Sequence, residues 1–433
     1  MSLDKYNNYL NALSNEHIVA FETSQEWTAE HLKSKVCYWI EQIQQSKEQF
    51  WILYEESPFE FLAKFLALNI ACKTIILPAN NQAKTIQGLL ESYSGNIETL
   101  QSLDVFSPQI STSELPELNL NSEVLLYTSG SSGDAKKITK TLALLAKEIE
   151  VLDGLWGAQF SKVIATVSHQ HLYGLLFRLL WPFFSGKPFF NKQLKYPEEL
   201  FFEDKDMALV TSPAILSRLD KNIKYSQFAA VFSSGGPLSY DSAAVASKLL
   251  HNWPLEVYGS TETGGVAYRS QENKNSYWTL LPKVNLETAE HNVYIRSEFV
   301  MSGSIQLDDK ISINQDGTFS LDGRKDRIIK YEEKRLSLDQ LEQVLMQNPW
   351  VKLAKCLLLD SARKPLAVVI VPTSQGENAL AETDKKQVVS HLKAHLLNSF
   401  ELSVLPKKWR FVEELPTNSM NKVVLAELRE LFI

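Results

Sequence analysis

Between Thr128 and Gly133 the chain places four hydroxyls and two glycines in a row, Thr128-Ser129-Gly130-Ser131-Ser132-Gly133, then Lys136 and Lys137. A loop of this kind bends so that backbone N–H groups point inward and hold a polyanion. Small side chains let phosphate oxygens approach the backbone, and hydroxyls add donors. The spacing is not that of a Walker A loop. A polar turn after a strand is the other reading, since Gly/Ser clusters punctuate loops. Gly235 and Gly236, in Ser233-Ser234-Gly235-Gly236-Pro237-Leu238, offer bare backbone to a flat ligand, or make a plain tight turn. His169 and His171 stand two apart, with no third metal ligand near them in the sequence.

Residues 127–137, YTSGSSGDAKK, resemble the phosphate-binding signature of the adenylate-forming superfamily, YTSGTTGxPKG. That superfamily includes acyl- and aryl-CoA synthetases, luciferases and the adenylation domains of peptide synthetases. Ala135 and Lys137 depart from the pattern, standing for proline and glycine. Further stretches resemble the family's other motifs, in the same order along the chain. Ser234 to Leu238 is similar to GGxxL, and Tyr258-Gly259-Ser260-Thr261-Glu262 to YGxTE. Asp309 followed by Gly317 resembles the GD…DG spacing, and Gly323 to Lys330 the GRxKDxIK segment. Leu415 to Lys422 is similar to LPxTxxGK. Asp308, Glu333 and Asn421 stand where glycine is usual, and the interval from Glu262 to Asp309 is short for the family.

The resemblance implies roles. Residues Thr128, Ser129, Gly130, Ser131, Ser132, Gly133 and Lys136 hold phosphates, and Gly235 and Gly236 pack on adenine. Tyr258, with Gly259 beside it, stacks on the same ring. Thr261 bonds the α-phosphate, and Glu262 holds Mg²⁺, a hard cation that prefers carboxylate and phosphate oxygen. Asp309 and Arg324 bind the ribose hydroxyls, Asp326 is the hinge, and Lys422 makes the adenylate. His171 walls the acyl pocket, with Tyr173 two residues on. An aspartate at the His171 position serves α-amino acids in the family, so its absence here points away from them.

The implied activity is that of a stand-alone acid–thiol ligase. It activates an aromatic or other hydrophobic carboxylic acid with ATP and Mg²⁺, releases pyrophosphate, and passes the acyl group to CoA or to the phosphopantetheine of an acyl carrier protein. Two rivals stay open: an amino-acid adenylating enzyme, and a non-catalytic relative that binds nucleotide or a carrier protein. Glu333 lies in the stretch that lines the family's thiol tunnel, which bears on the second step.

The elements that must position these residues follow from periodicity. Leu32, Val36, Trp39, Ile40 and Ile43 form one stripe of a helix within 27–49. Strands are expected at 50–54, 73–77, 124–127, 163–167, 208–211, 229–233 and 255–258, with helices between them. Ser57-Pro58-Phe59-Glu60 and Ser337-Leu338-Asp339-Gln340 read as capping boxes. A helix is expected over 172–184, and polar linkers over 271–276 and 373–383. Strand–helix alternation predicts parallel pairing. The fold class is therefore α/β, with a large N-terminal domain of mixed, largely parallel sheets over 1–324. A small mobile α+β domain over 325–433 follows.

A chain of 433 residues exceeds what one core supports. A net charge of -7 without an extended basic run argues against nucleic acid as the main partner. Cys37, Cys72 and Cys356 have no paired spacing and read as reduced, mostly buried thiols. With no signal-peptide layout and no apolar run long enough to span a bilayer, a cytoplasmic location is expected.

Overall fold

The computed structural model describes residues 3–93, 97–99, 114–129, 135–274, 276–289, 292–324, 327–331, 334–359, 365–417 and 423–433. They fall into two compact units, Met1–Gln306 and Leu307–Ile433. This division lies ahead of the hairpin 309–324, which the sequence reading kept with the large domain. The hairpin goes with the C-terminal unit because its second strand ends against a helix there. A side chain added at Gly323 would sit 3.1 Å from Asp339.

In the large unit, one sheet has the order Ile97–Thr99, Phe50–Ile52, Thr74–Leu77, Glu123–Ser129, Ala135–Thr141. The first four strands are parallel and the last is antiparallel. A nine-stranded sheet has a parallel middle that includes Lys162–Ala165, Met207–Thr211, Ala230–Ser233 and Leu255–Ser260. Antiparallel strands close both its ends. The C-terminal ends of parallel strands face one edge, where ligands of open α/β sheets bind. The loops at 166–171, 212, 234–238 and 261–263 all leave from that edge.

The helix Ala29–Gln44 buries Leu32, Val36, Trp39, Ile40 and Ile43, as its period requires. The helix Pro58–Ile70 starts on Ser57, whose hydroxyl accepts from the Glu60 N–H at 3.3 Å. Ser337 caps Leu338–Met346 in the same way. That helix packs with Lys385–Leu397 on a sheet of Val351–Leu358, Leu366–Pro372 and Lys408–Phe411, making the small unit α+β. Arg327 anchors the chain entering this unit, donating to Asp339 at 2.6 Å and also to Glu342.

Three expectations are corrected. Thr373 caps a helix, Ser374–Glu382, where a linker was expected; polar composition alone does not separate a loop from a solvated helix. Gln271 is buried rather than part of a linker. Cys72 is exposed, Cys37 half-buried, and only Cys356 buried.

The helix expected over 172–184 is present in three pieces. Leu172–Gly174 opens it, Leu175–Leu180 takes π geometry, and Trp181–Phe184 returns to α. Pro182 has no N–H to give the Arg178 carbonyl, which favours the wider turn. The helix enters tightly against the preceding loop: a Cβ at Gly174 would lie 2.0 Å from the Ser168 carbonyl oxygen. Gly174→Ala should therefore destabilise the large unit by roughly 1–3 kcal/mol through overpacking against backbone. Chemical denaturation checks this, and an unchanged midpoint would count against the close approach.

Candidate active site

Thr128 and Lys136 face each other across the antiparallel pair of Glu123–Ser129 with Ala135–Thr141. The Thr128 hydroxyl donates to the Lys136 carbonyl at 3.5 Å. Lys136 and Lys140, four apart on a strand, share one face. Lys136, largely exposed, donates to Glu262 Oε1 at 2.9 Å. Lys140 is 1% exposed and donates to the carbonyls of Glu262 at 3.1 Å and Phe299 at 2.7 Å. Gly130, Ser131, Ser132 and Gly133 lie outside the described residues.

The turn carrying Thr261 and Glu262 is held from within and below. Thr263 Oγ1 accepts from the Ser260 N–H at 3.0 Å. Gly264 has φ +70°, and a Cβ there would meet Glu148 at 2.6 Å. The next residue, Gly265, donates its N–H to Glu148 Oε1 at 2.7 Å. Gly259 packs beside the Gly264 carbonyl. Burial lowers the Lys140 ammonium and raises the Glu148 carboxyl, and each charge partly offsets the other's shift. Burial alone also raises Glu262, but hydrogen bonding to Lys136 and the local backbone outweighs it, leaving the carboxyl below its ordinary 4.5. Glu262 thus stays ionised at neutral pH, and its contribution to the folded state is lost only as pH falls through that lowered value.

A second cluster shapes the loop of Gly235 and Gly236. Nothing lies within 4 Å of a Cβ built at either position, so the loop shows bare backbone. Buried Glu256 accepts from the Leu238 N–H at 3.3 Å, from Arg269 at 2.8 and 3.2 Å, and from Gln271 at 2.7 Å. The Arg269 guanidinium lies 4.6 Å from the Trp278 ring, which is 5.6 Å from that of Tyr258. One chain of contacts thus fixes both the glycine loop and Tyr258. Sequence reasoning missed Glu256, Arg269, Gln271 and Trp278, as it missed Lys140 and Glu148. The available signal was an acid inside the apolar strand Leu255–Ser260.

His171 opens the helix at 172, half-buried, and Tyr173 follows with its hydroxyl buried. The loop before them is fixed by His169 Nε2 and Gln170 Nε2, both on the Glu55 carbonyl at 2.8 Å. Burial, with Arg178 and His171 nearby, pushes the His169 imidazole well below its ordinary value, so it is neutral. Among the described residues no group of three or more His, Cys, Asp or Glu is set to hold a metal.

In the C-terminal unit, Asp309 and Arg324 are register partners across the strands Asp309–Ile313 and Phe319–Arg324. Asp326 and Lys422 lie outside the described residues; Thr417 and Val423, on either side of 418–422, pair in an antiparallel bridge. The structure therefore brings Thr128, Lys136, Thr261 and Glu262 together in one unit, and Asp309 with Arg324 in the other.

Lys140→Met removes two hydrogen bonds and leaves Glu148 without its cation. A loss of roughly 3–5 kcal/mol is expected. Glu148→Gln in the same chain should recover part of it. Thermal unfolding of the single and double variants reads the coupling, and strictly additive losses would show the two groups to be independent.

No family model matches the chain. A 4-coumarate–CoA ligase of Cereibacter sphaeroides is 27% identical over 303 residues, covering 68% of this chain and 69% of its own. A benzoate CoA ligase from Burkholderia xenovorans LB400 aligns with TM-score 0.76 at 15% identity, over 98% of this chain and 100% of the other. The O-succinylbenzoate coenzyme A synthetase of Bacillus subtilis, solved with AMP, has TM-score 0.76 at 15% identity, over 98% of each chain. At that identity the structures speak for the fold, while the ordered motifs and the sequence relatives speak for the chemistry. In sequence the chain is similar to CoA ligases, and its fold is that of the acyl- and aryl-CoA ligases among these structures.

Proposed function

We propose that the acid is aromatic or otherwise hydrophobic, and that the acyl group passes from its adenylate to the thiol of CoA or of a carrier protein's phosphopantetheine. The observation that carries this reading is the Lys136–Glu262 contact at 2.9 Å, where the phosphate-binding strand meets the acidic turn. A carboxylate must approach a triphosphate for the adenylate to form, so several negative charges have to be neutralised together. Positioned cations and N–H donors do this best where water is excluded.

In this scheme residues 128–136 hold the departing pyrophosphate, and Thr261 bonds the α-phosphate. Tyr258 lies on the adenine, whose other contact is the backbone of Gly235 and Gly236. Asp309 and Arg324 take the ribose hydroxyls, and Lys422 bridges the carboxylate and the α-phosphate. Glu262, ionised and half-buried, suits Mg²⁺ as one carboxylate ligand, the substrate's phosphate oxygens supplying others. The ion would add charge neutralisation at the phosphates. His171 and Tyr173 wall the acyl group. A swing of the small domain about Asp326 would then exchange Lys422 for the thiol, a hinge-type transition.

Lys422→Ala should lower adenylation by roughly 10²–10³, while thioester formation from supplied acyl-AMP falls much less. Measuring both half-reactions checks this; equal losses would remove Lys422 from that role. Pyrophosphate release across benzoic, cinnamic and fatty acids, run with CoA and with a loaded carrier protein, should favour the aromatic acids. Activity confined to long-chain acids would rule the aromatic preference out.

A further inference from the structure

Nine buried side-chain polar atoms among the described residues have no hydrogen-bond partner, and five of them lie between His169 and Arg178. Buried polar groups are normally paired, so such a concentration calls for a ligand or ordered water. Arg178 is 1% exposed, with one bond, from Nη1 to the Val167 carbonyl at 2.9 Å. Its Nε and Nη2 have no acceptor. Burial lowers the guanidinium to about 9, which leaves it charged at neutral pH.

The unpaired atoms are of two kinds. His169 gives its Nε2 hydrogen to the Glu55 carbonyl, which leaves Nδ1 as an unpaired acceptor. Gln170 donates an amide N–H to the same carbonyl and leaves Oε1 as another. The Tyr173 hydroxyl lies within reach of the Thr211 backbone, and Ser233, the register partner of Thr211, has an unpaired hydroxyl. A group that takes hydrogen bonds from a guanidinium and gives one to an imidazole nitrogen or amide oxygen is an O–H, of a ligand hydroxyl or of water. A carboxylate would satisfy Arg178 but be repelled by the two acceptors.

We propose that these atoms form a subsite for a hydroxyl on the acid substrate, remote from the carboxyl that reacts, with Arg178 and His169 as its specificity-determining residues. This rests on the reading that the acid lies beside His171 and Tyr173. A site built to bond a hydroxyl rejects the analogue that lacks it by up to roughly 10⁴–10⁵, because its polar groups are then left unpaired.

The test is acid-dependent ATP–pyrophosphate exchange with benzoate, 4-methylbenzoate, 3- and 4-hydroxybenzoate and terephthalate. The wild-type protein should give kcat/KM at least roughly 100-fold higher for one hydroxylated acid than for its methyl or unsubstituted analogue. In Arg178→Met that ratio should collapse toward unity, a change within one variant that general loss of structure does not produce. Tyr173→Phe gives a second variant should Arg178→Met not fold, and the wild-type ratio needs neither. Equal or better use of benzoate or 4-methylbenzoate, or a preference for terephthalate, would overturn the subsite and leave the ligase reading intact. Exchange with no acid in the panel, or with long-chain acids alone, would overturn both.

Discussion

Two charged groups removed from water, the Lys140 ammonium and the Glu148 carboxyl, fix the turn that carries Glu262. One reaches that turn's carbonyl from the strand Ala135–Thr141; the other holds Gly265 from the helix Leu142–Trp156. Neither is comfortable when buried alone. Their mutual attraction and their backbone hydrogen bonds make the arrangement tolerable, and the same bonds set its geometry. Lys136 and Glu262, paired beside them, are more exposed. The buried pair sets position, while the exposed pair joins the same strand to the same turn nearer the solvent.

The glycine loop follows the same logic with different chemistry. Glu256 reaches Arg269, Gln271 and the Leu238 backbone, and Arg269 presses on the Trp278 ring beside Tyr258. A flexible pair of glycines thus acquires a rigid support while its upper surface stays bare.

The elements were more legible in the sequence than the contacts between them. The stripe from Leu32 to Ile43 and the caps at Ser57 and Ser337 depend on neighbours within a few residues, and they appear where periodicity and capping chemistry put them. Strand–helix alternation likewise gave the parallel pairing around Glu123–Ser129. Lys140 and Glu148 were not legible, because their partners lie far along the chain and most charged residues are solvated. Gln271 looked like linker for the same reason, and its buried bonds to Glu256 and Leu238 are long-range. The π segment escaped notice because apolar spacing does not distinguish it from an α-helix over so few residues.

That segment has a consequence for how this part of the fold can change. A wider turn holds one more residue than an α-turn between the same two anchors, and each α-residue advances about 100° around the axis. Losing a single residue from Leu175–Leu180 would therefore turn one end of the helix against the other by roughly 100° while leaving the flanking strands untouched. This stretch of the large unit is in this sense geared: a one-codon step can turn it, with no need to redesign the scaffold behind it.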